Sequence, residues 1–126
     1  MSSLRLPLLL AALAAAPLAP AMAQSAAFIA CVVNTDASFN SRVMMRADPL
    51  GGGSQTGDSA WVEVAKNGGR HCRNFSASRV LNIQLEENIA GWRPFTRCNQ
   101  TIHLPARNIT LTIFRESRVR LGCRIT

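Results

Sequence analysis

The chain has 126 residues, 48% hydrophobic and 17% charged, with a formal net charge of +7. That composition excludes a disordered, collagen-like or coiled-coil chain, and the length holds one ordinary domain rather than two. Beyond the N-terminal leader no apolar run approaches the ~20 residues a membrane-spanning helix needs, so an integral helical membrane protein is excluded.

The leader itself has three parts in order. Arg5 gives a positive start, Leu6 to Leu18 is rich in Leu and Ala, and Ala21-Met22-Ala23 is a small-x-small cleavage site before Gln24. Pro7, Pro17 and Pro20 interrupt any anchor helix. Residues 1–23 therefore read as a signal peptide and 24–126 as a single mature domain. Four cysteines, Cys31, Cys72, Cys98 and Cys123, remain in that domain. An even number in a small exported chain reads as two disulfides. Three pairings satisfy the sequence, and Cys31–Cys72 with Cys98–Cys123 is the one that staples each half. Each bridge is worth roughly 3–4 kcal/mol in the chain-entropy account. Thirteen arginines to one lysine point to a GC-rich bacterial genome, hence to a periplasmic or secreted destination.

Along the mature chain the dominant hydrophobic period is two, the period of a strand. Residues 27–34 form a continuous apolar run, as expected for a strand buried on both faces. A second strand is expected around Val43-Met44-Met45, followed by a flexible glycine-rich loop over 48–58. Trp61 to Ala65 is a third strand, closed by Lys66-Asn67-Gly68-Gly69, whose Asn-Gly pair suits a tight hairpin. In 79–86, Leu81, Ile83 and Leu85 alternate with Asn82, Gln84 and Glu86. Residues 86–90 read as a turn or one helical turn, and 92–98 as a less regular strand interrupted by Pro94. Ile109, Leu111 and Ile113 share a face, Glu116-Ser117 connects, and Val119, Leu121, Cys123 and Ile125 return on one face. About seven short strands predict an all-β fold: one small antiparallel β-sandwich, or small barrel, stapled by two disulfides.

Without Arg5 there are thirteen basic and seven acidic side chains, a net +6, and the excess gathers at the C-terminus. On the last strand Arg118, Arg120 and Arg124 are expected opposite the apolar face, with Arg115 nearby. Such a row of forked donors suits phosphate, sulfate or carboxylate groups. The plainer reading is that these arginines keep an edge strand soluble. Trp61 and Trp92 follow loops and are expected at a sandwich end, where Arg93 and Arg97 would make a mixed aromatic and basic patch. With no tyrosine and few aromatics, base-stacking platforms are scarce, which argues against nucleic acid.

Catalytic motifs are missing from the sequence: there is no Gly-x-Ser-x-Gly, no phosphate-cradling loop and no His-Glu-x-x-His. His71, Cys72, Cys98 and His103 match no compact zinc spacing, so the chain reads as carrying no metal and no cofactor. The expectation is an exported, non-enzymatic β-sandwich. Its partner would be an anionic envelope glycan or lipid, or a protein, met through an arginine face and a loop end. Two alternatives follow from the same residues. One is a periplasmic inhibitor or immunity protein inserting the loop 48–59. The other is a small ribonuclease-like hydrolase using His103 or His71 with Glu86 or Glu87.

Overall fold

The computed structural model describes residues 25–126, so the leader assigned to 1–23 lies outside the described residues. Ten strands follow in chain order: β1 (Phe28–Asn34), β2 (Ser41–Pro49), β3 (Thr56–Gly57), β4 (Val62–Val64), β5 (Gly69–Phe75), β6 (Ser78–Asn88), β7 (Trp92–Pro94), β8 (Gln100–His103), β9 (Ile109–Ser117) and β10 (Arg120–Ile125). A 3₁₀ turn, Thr96–Cys98, separates β7 from β8. The strands form two sheets. The first has the order β10-β9-β1-β5; the second has β3-β2-β6-β7, with β4 also on β2 and β8 also on β6. All pairings are antiparallel except β1 with β9, which is parallel. The protein is a two-sheet β-sandwich.

Alternation decides what lies between the sheets. From the first come Phe28, Ala30 and Val32 of β1 and Ile109, Leu111 and Ile113 of β9; from the second come Val43, Met45 and Ala47 of β2 and Leu81, Ile83 and Leu85 of β6, all buried. Phe28 stacks on Phe75 directly opposite it, with ring centres 5.3 Å apart. Cross-strand aromatic pairs of this kind add to what burial alone supplies.

Both disulfides form, as Cys31–Cys72 and Cys98–Cys123. Cys31 and Cys72 are register partners on β1 and β5, so this bridge reinforces a ladder within one sheet. Cys98 lies on the 3₁₀ turn and Cys123 on β10, so the other bridge ties the two layers together along one side. Two disulfides belong to an oxidising compartment.

Four local expectations are corrected. β1 is fully buried on one face and partly on the other: on the outer side Ile29 is 42% exposed, while Cys31 is buried at its disulfide. Asn67 and Gly68 do take positive φ (63° and 97°), yet the strands they join are not a hairpin. β4 pairs with β2 and β5 with β1, so the turn crosses between sheets. The glycine-rich loop is shorter than expected, because Asp48 and Pro49 belong to β2 and Thr56 and Gly57 to β3. Gly57 is required there: at φ 118° its Cα lies against the Met45 carbonyl, where a Cβ would collide. Finally, β9 runs through Ser117, and the reversal falls at Arg118 and Val119. Val119 is 94% exposed and does not join the face of Leu121.

Candidate functional site: an indole and guanidinium stack on the second sheet

The outward positions of β2 are Arg42, Met44 and Arg46, and those of β6 are Asn82, Gln84 and Glu86. The register places Arg42 opposite Glu86, Met44 opposite Gln84 and Arg46 opposite Asn82. Trp61 enters from one side, on the residue before β4, which pairs with β2. Trp92 enters from the other as the first residue of β7, opposite Asn88. The Arg42 guanidinium lies between them, 5.1 Å from the Trp61 ring centre and 4.6 Å from that of Trp92. Arg42 Nε donates to Glu86 Oε1 at 2.7 Å, and Nη2 is paired with the same oxygen. A guanidinium is planar and weakly hydrated, so it can stack on both indoles while its edge meets a carboxylate. The stack therefore locks two tryptophans, 31 positions apart in sequence, into one surface.

Beside it lies a shallow groove of about 170 Å³ lined by Met44, Arg46, Gln55, Asn82 and Gln84. Thr101 on β8 donates its hydroxyl to Asn82 Oδ1 at 3.0 Å, which orients that amide. The groove thus offers carboxamides, one exposed cation and an apolar thioether beside half-buried indoles.

The remaining residues singled out in the sequence are dispersed. Arg93 donates to the Ile89 carbonyl at 3.1 Å. Arg97 donates to the Leu121 carbonyl at 2.6 Å and stands over Phe95. Neither joins Trp92 through a pairing the structure shows; the cation beside Trp92 is Arg42, which nothing in its local sequence marks out. The expected row on the last strand is incomplete: Arg118 is in the turn, whereas Arg120 and Arg124 are exposed on the face opposite the buried Leu121. Arg120 pairs with Glu116 at 2.9 Å, while Arg124 stands over Phe114. Arg115 faces inward, its Nε donating to Asp36 Oδ1 at 2.9 Å. Burial pushes the Asp36 pKa up, but Arg115 and the Phe39 and Ser38 amides outweigh it and hold the carboxyl below its ordinary value.

The two histidines lie in different sheets. His71 on β5 points between the layers, its Nε2 3.0 Å from Asp58 Oδ1, and Arg73 Nε donates to the same oxygen at 2.5 Å. His103 ends β8 opposite Val80, six residues along β6 from Glu86. At ~3.3 Å per residue that is roughly 20 Å, so His103 and Glu86 do not share a site. Cys72 and Cys98 are both in disulfides. Among the described residues no group of three or more His, Cys, Asp or Glu side chains is arranged to hold a metal ion, and no helix is long and apolar enough to cross a membrane.

No protein-family model matches this chain, and no curated protein matches it. The functional reading therefore stands on the geometry above.

Proposed function

We propose that this protein is exported to the bacterial periplasm or medium and acts there as a non-enzymatic binding protein for an anionic glycan. The binding surface is the outer face of the second sheet. The observation that carries the reading is the Trp61–Arg42–Trp92 stack beside the amide-lined groove. Sugar rings present an apolar face of C–H groups and an edge of hydroxyls. Indoles suit the first, and carboxamides, each with donor and acceptor side by side, suit the second. Arg46 adds a forked donor for a uronate carboxylate or a phosphate. The net charge of +6 on residues 24–126 draws such a ligand in. Arg118 lies in the turn, Arg120 is paired with Glu116 and Arg124 stands over Phe114, which favours β2 and β6 over the last strand as the binding surface. The N-terminal segment with its cleavage site, together with the two disulfides, supports export. His71 is paired with the buried Asp58, and His103 lies far from Glu86, so the two histidines and Glu86 do not come together as the hydrolase reading requires.

The test is titration with trigalacturonate, with neutral maltotriose as the control, followed by tryptophan emission. Trigalacturonate should saturate one site and weaken as salt rises, because an exposed cation is screened. Arg46→Ala and Trp92→Ala should each weaken it about tenfold or more, and Arg124→Ala should leave it unchanged. Absence of saturable binding to either sugar, or loss on Arg124→Ala alone, overturns the assignment.

A further inference from the structure

The sandwich closes unevenly along its β8–β10 side. Next to the Cys98–Cys123 bridge the layers are joined, but further along they part around a cavity of about 450 Å³. Its floor is the core itself: Ile109 is 4% exposed, and Ile102 packs against the buried cluster. Its walls are Leu104 and Ile125, which remain 44% and 36% exposed. Large aliphatic side chains left open around a concave, core-floored space are the usual lining of a small-molecule site, and the volume lies within the range of such sites. His103 and Arg107 are the polar side chains lining it, and no carboxylate does.

Leu104 is also strained. It holds φ 47°, a conformation bulky L residues rarely adopt, with its amide donating to the Arg79 carbonyl at 2.8 Å. Strain of this kind persists where the surroundings over-determine it, and it gathers at ligand sites. Nearby, Ser25 Oγ donates to the Pro105 carbonyl at 2.9 Å and accepts from the Ser78 amide, which anchors the loop after β8. The wall is therefore held in place before any ligand arrives.

We infer that this cavity binds the acyl chain of a single-chain anionic amphiphile, a fatty carboxylate, with its head group at Arg107 and His103. Charge complementarity selects this occupant: an apolar slot with one cationic side chain, Arg107, and no acid favours a chain bearing one negative end. The inference does not rest on the glycan reading, since the cavity and the groove beside the tryptophan stack share no residue.

The experiment is calorimetric titration of the oxidised protein with dodecanoate below its micelle concentration, alongside decanoate, octanoate and dodecyltrimethylammonium. One dodecanoate should bind per chain, and affinity should fall roughly tenfold for each two methylenes removed. Leu104→Gly, which accepts the positive φ without strain and so keeps the fold, should weaken dodecanoate at least tenfold, as should Ile125→Glu. Arg107→Glu should weaken dodecanoate several-fold while improving dodecyltrimethylammonium. Arg70→Ala, on the outer face of β5, should change nothing. Binding that ignores chain length or Leu104→Gly overturns the inference. So does a concentration-dependent dimer that Leu104→Gly disperses, which would make a second copy of this chain the occupant.

Discussion

Asp58 follows β3 of one sheet and His71 lies on β5 of the other, and their side chains meet at 3.0 Å inside the sandwich. Asp58 is almost wholly buried, and its remaining bonds come from Arg73 and from the Met45 amide at 2.9 Å. On the side away from the Cys98–Cys123 bridge, this carboxylate is a polar fastening between the layers, as Asn34 is through its bonds to Ser41 and Val64. Burial pushes its pKa up, but the bonds from Met45, Arg73 and His71 more than offset that, so the net shift is downward. A carboxyl depressed in the folded state stabilises fully above its unfolded value of 3.8, and the contribution is lost as pH falls through the lower folded value. Asp58→Ala should therefore cost about 3 kcal/mol at neutral pH, since it leaves a buried amide and a guanidinium without their acceptor. The penalty should shrink below about pH 4. Urea denaturation across pH 2–7 checks both parts, and a penalty independent of pH would show that shape rather than charge matters at this position.

Glu87 behaves in the opposite sense. Burial pushes its pKa above the ordinary carboxylate value, Arg97 and Arg115 pull it down, and Asp36 adds to the rise. Its Oε2 is buried without a partner, as is Nη2 of Arg115. A carboxyl raised in the folded state favours folding at pH values below its unfolded value near 4.5, and the advantage is lost as pH climbs through the folded value. Glu87→Gln should accordingly raise the urea midpoint at pH 7 and leave it nearly unchanged at pH 4. A lower midpoint at pH 7 would mean that attraction to the two arginines outweighs desolvation.

These two carboxylates mark what the sequence reveals and what it hides. The runs Leu81-Ile83-Leu85 and Ile109-Leu111-Ile113 disclose strands because a period of two is a local property, and both bury those residues. The even cysteine count in an exported chain points to the disulfides for a similar reason. Sheet membership is not local. Asn67 and Gly68 set the turn angles, but which sheet each flanking strand enters depends on β1 and β2, far away in sequence. Asp58 sits among glycine, serine and threonine and reads as solvated, although the fold buries it. Arg42 meets two tryptophans only through the register of β2, β4, β6 and β7. The reversal at Arg118 and Val119, with Glu116 as the extra residue of β9 at the bulge, takes Arg118 out of a row that the spacing implies.

The two disulfides should separate by measurement. Their loops span 41 and 25 residues, so the chain-entropy account assigns about 4 and 3.5 kcal/mol, nearly equal. Their positions differ more. Cys31–Cys72 doubles a ladder that backbone hydrogen bonds already hold, whereas Cys98–Cys123 joins the layers where few other contacts do. Replacing Cys98 and Cys123 by Ala should therefore speed amide exchange throughout β10, while replacing Cys31 and Cys72 should lower global stability without selectively loosening β10. Equal protection of β10 in the two double variants would place the closure of that side in side-chain packing instead.

Arg42 provides the sharpest check on the proposed binding face. Each stacked indole is worth about 0.5–1 kcal/mol at an exposed site and more when partly desolvated. Lysine keeps the charge but cannot lie flat between two rings or present a fork to Glu86. Arg42→Lys should thus cost about 1–2 kcal/mol, a fall of several degrees in Tm for a domain of this size. It should also change the tryptophan emission, because Trp61 and Trp92 lose the same planar neighbour. A double-mutant cycle with Trp92→Phe isolates the stack, since the residues touch and their effects should not add. A coupling near zero would mean the rings are placed by their own strands and that Arg42 merely lies between them. A coupling of about 1 kcal/mol would make Arg42 the residue that aligns the aromatic surface. In that case Arg42→Lys should weaken trigalacturonate binding even though Arg46, the cation proposed to meet the ligand, is unchanged.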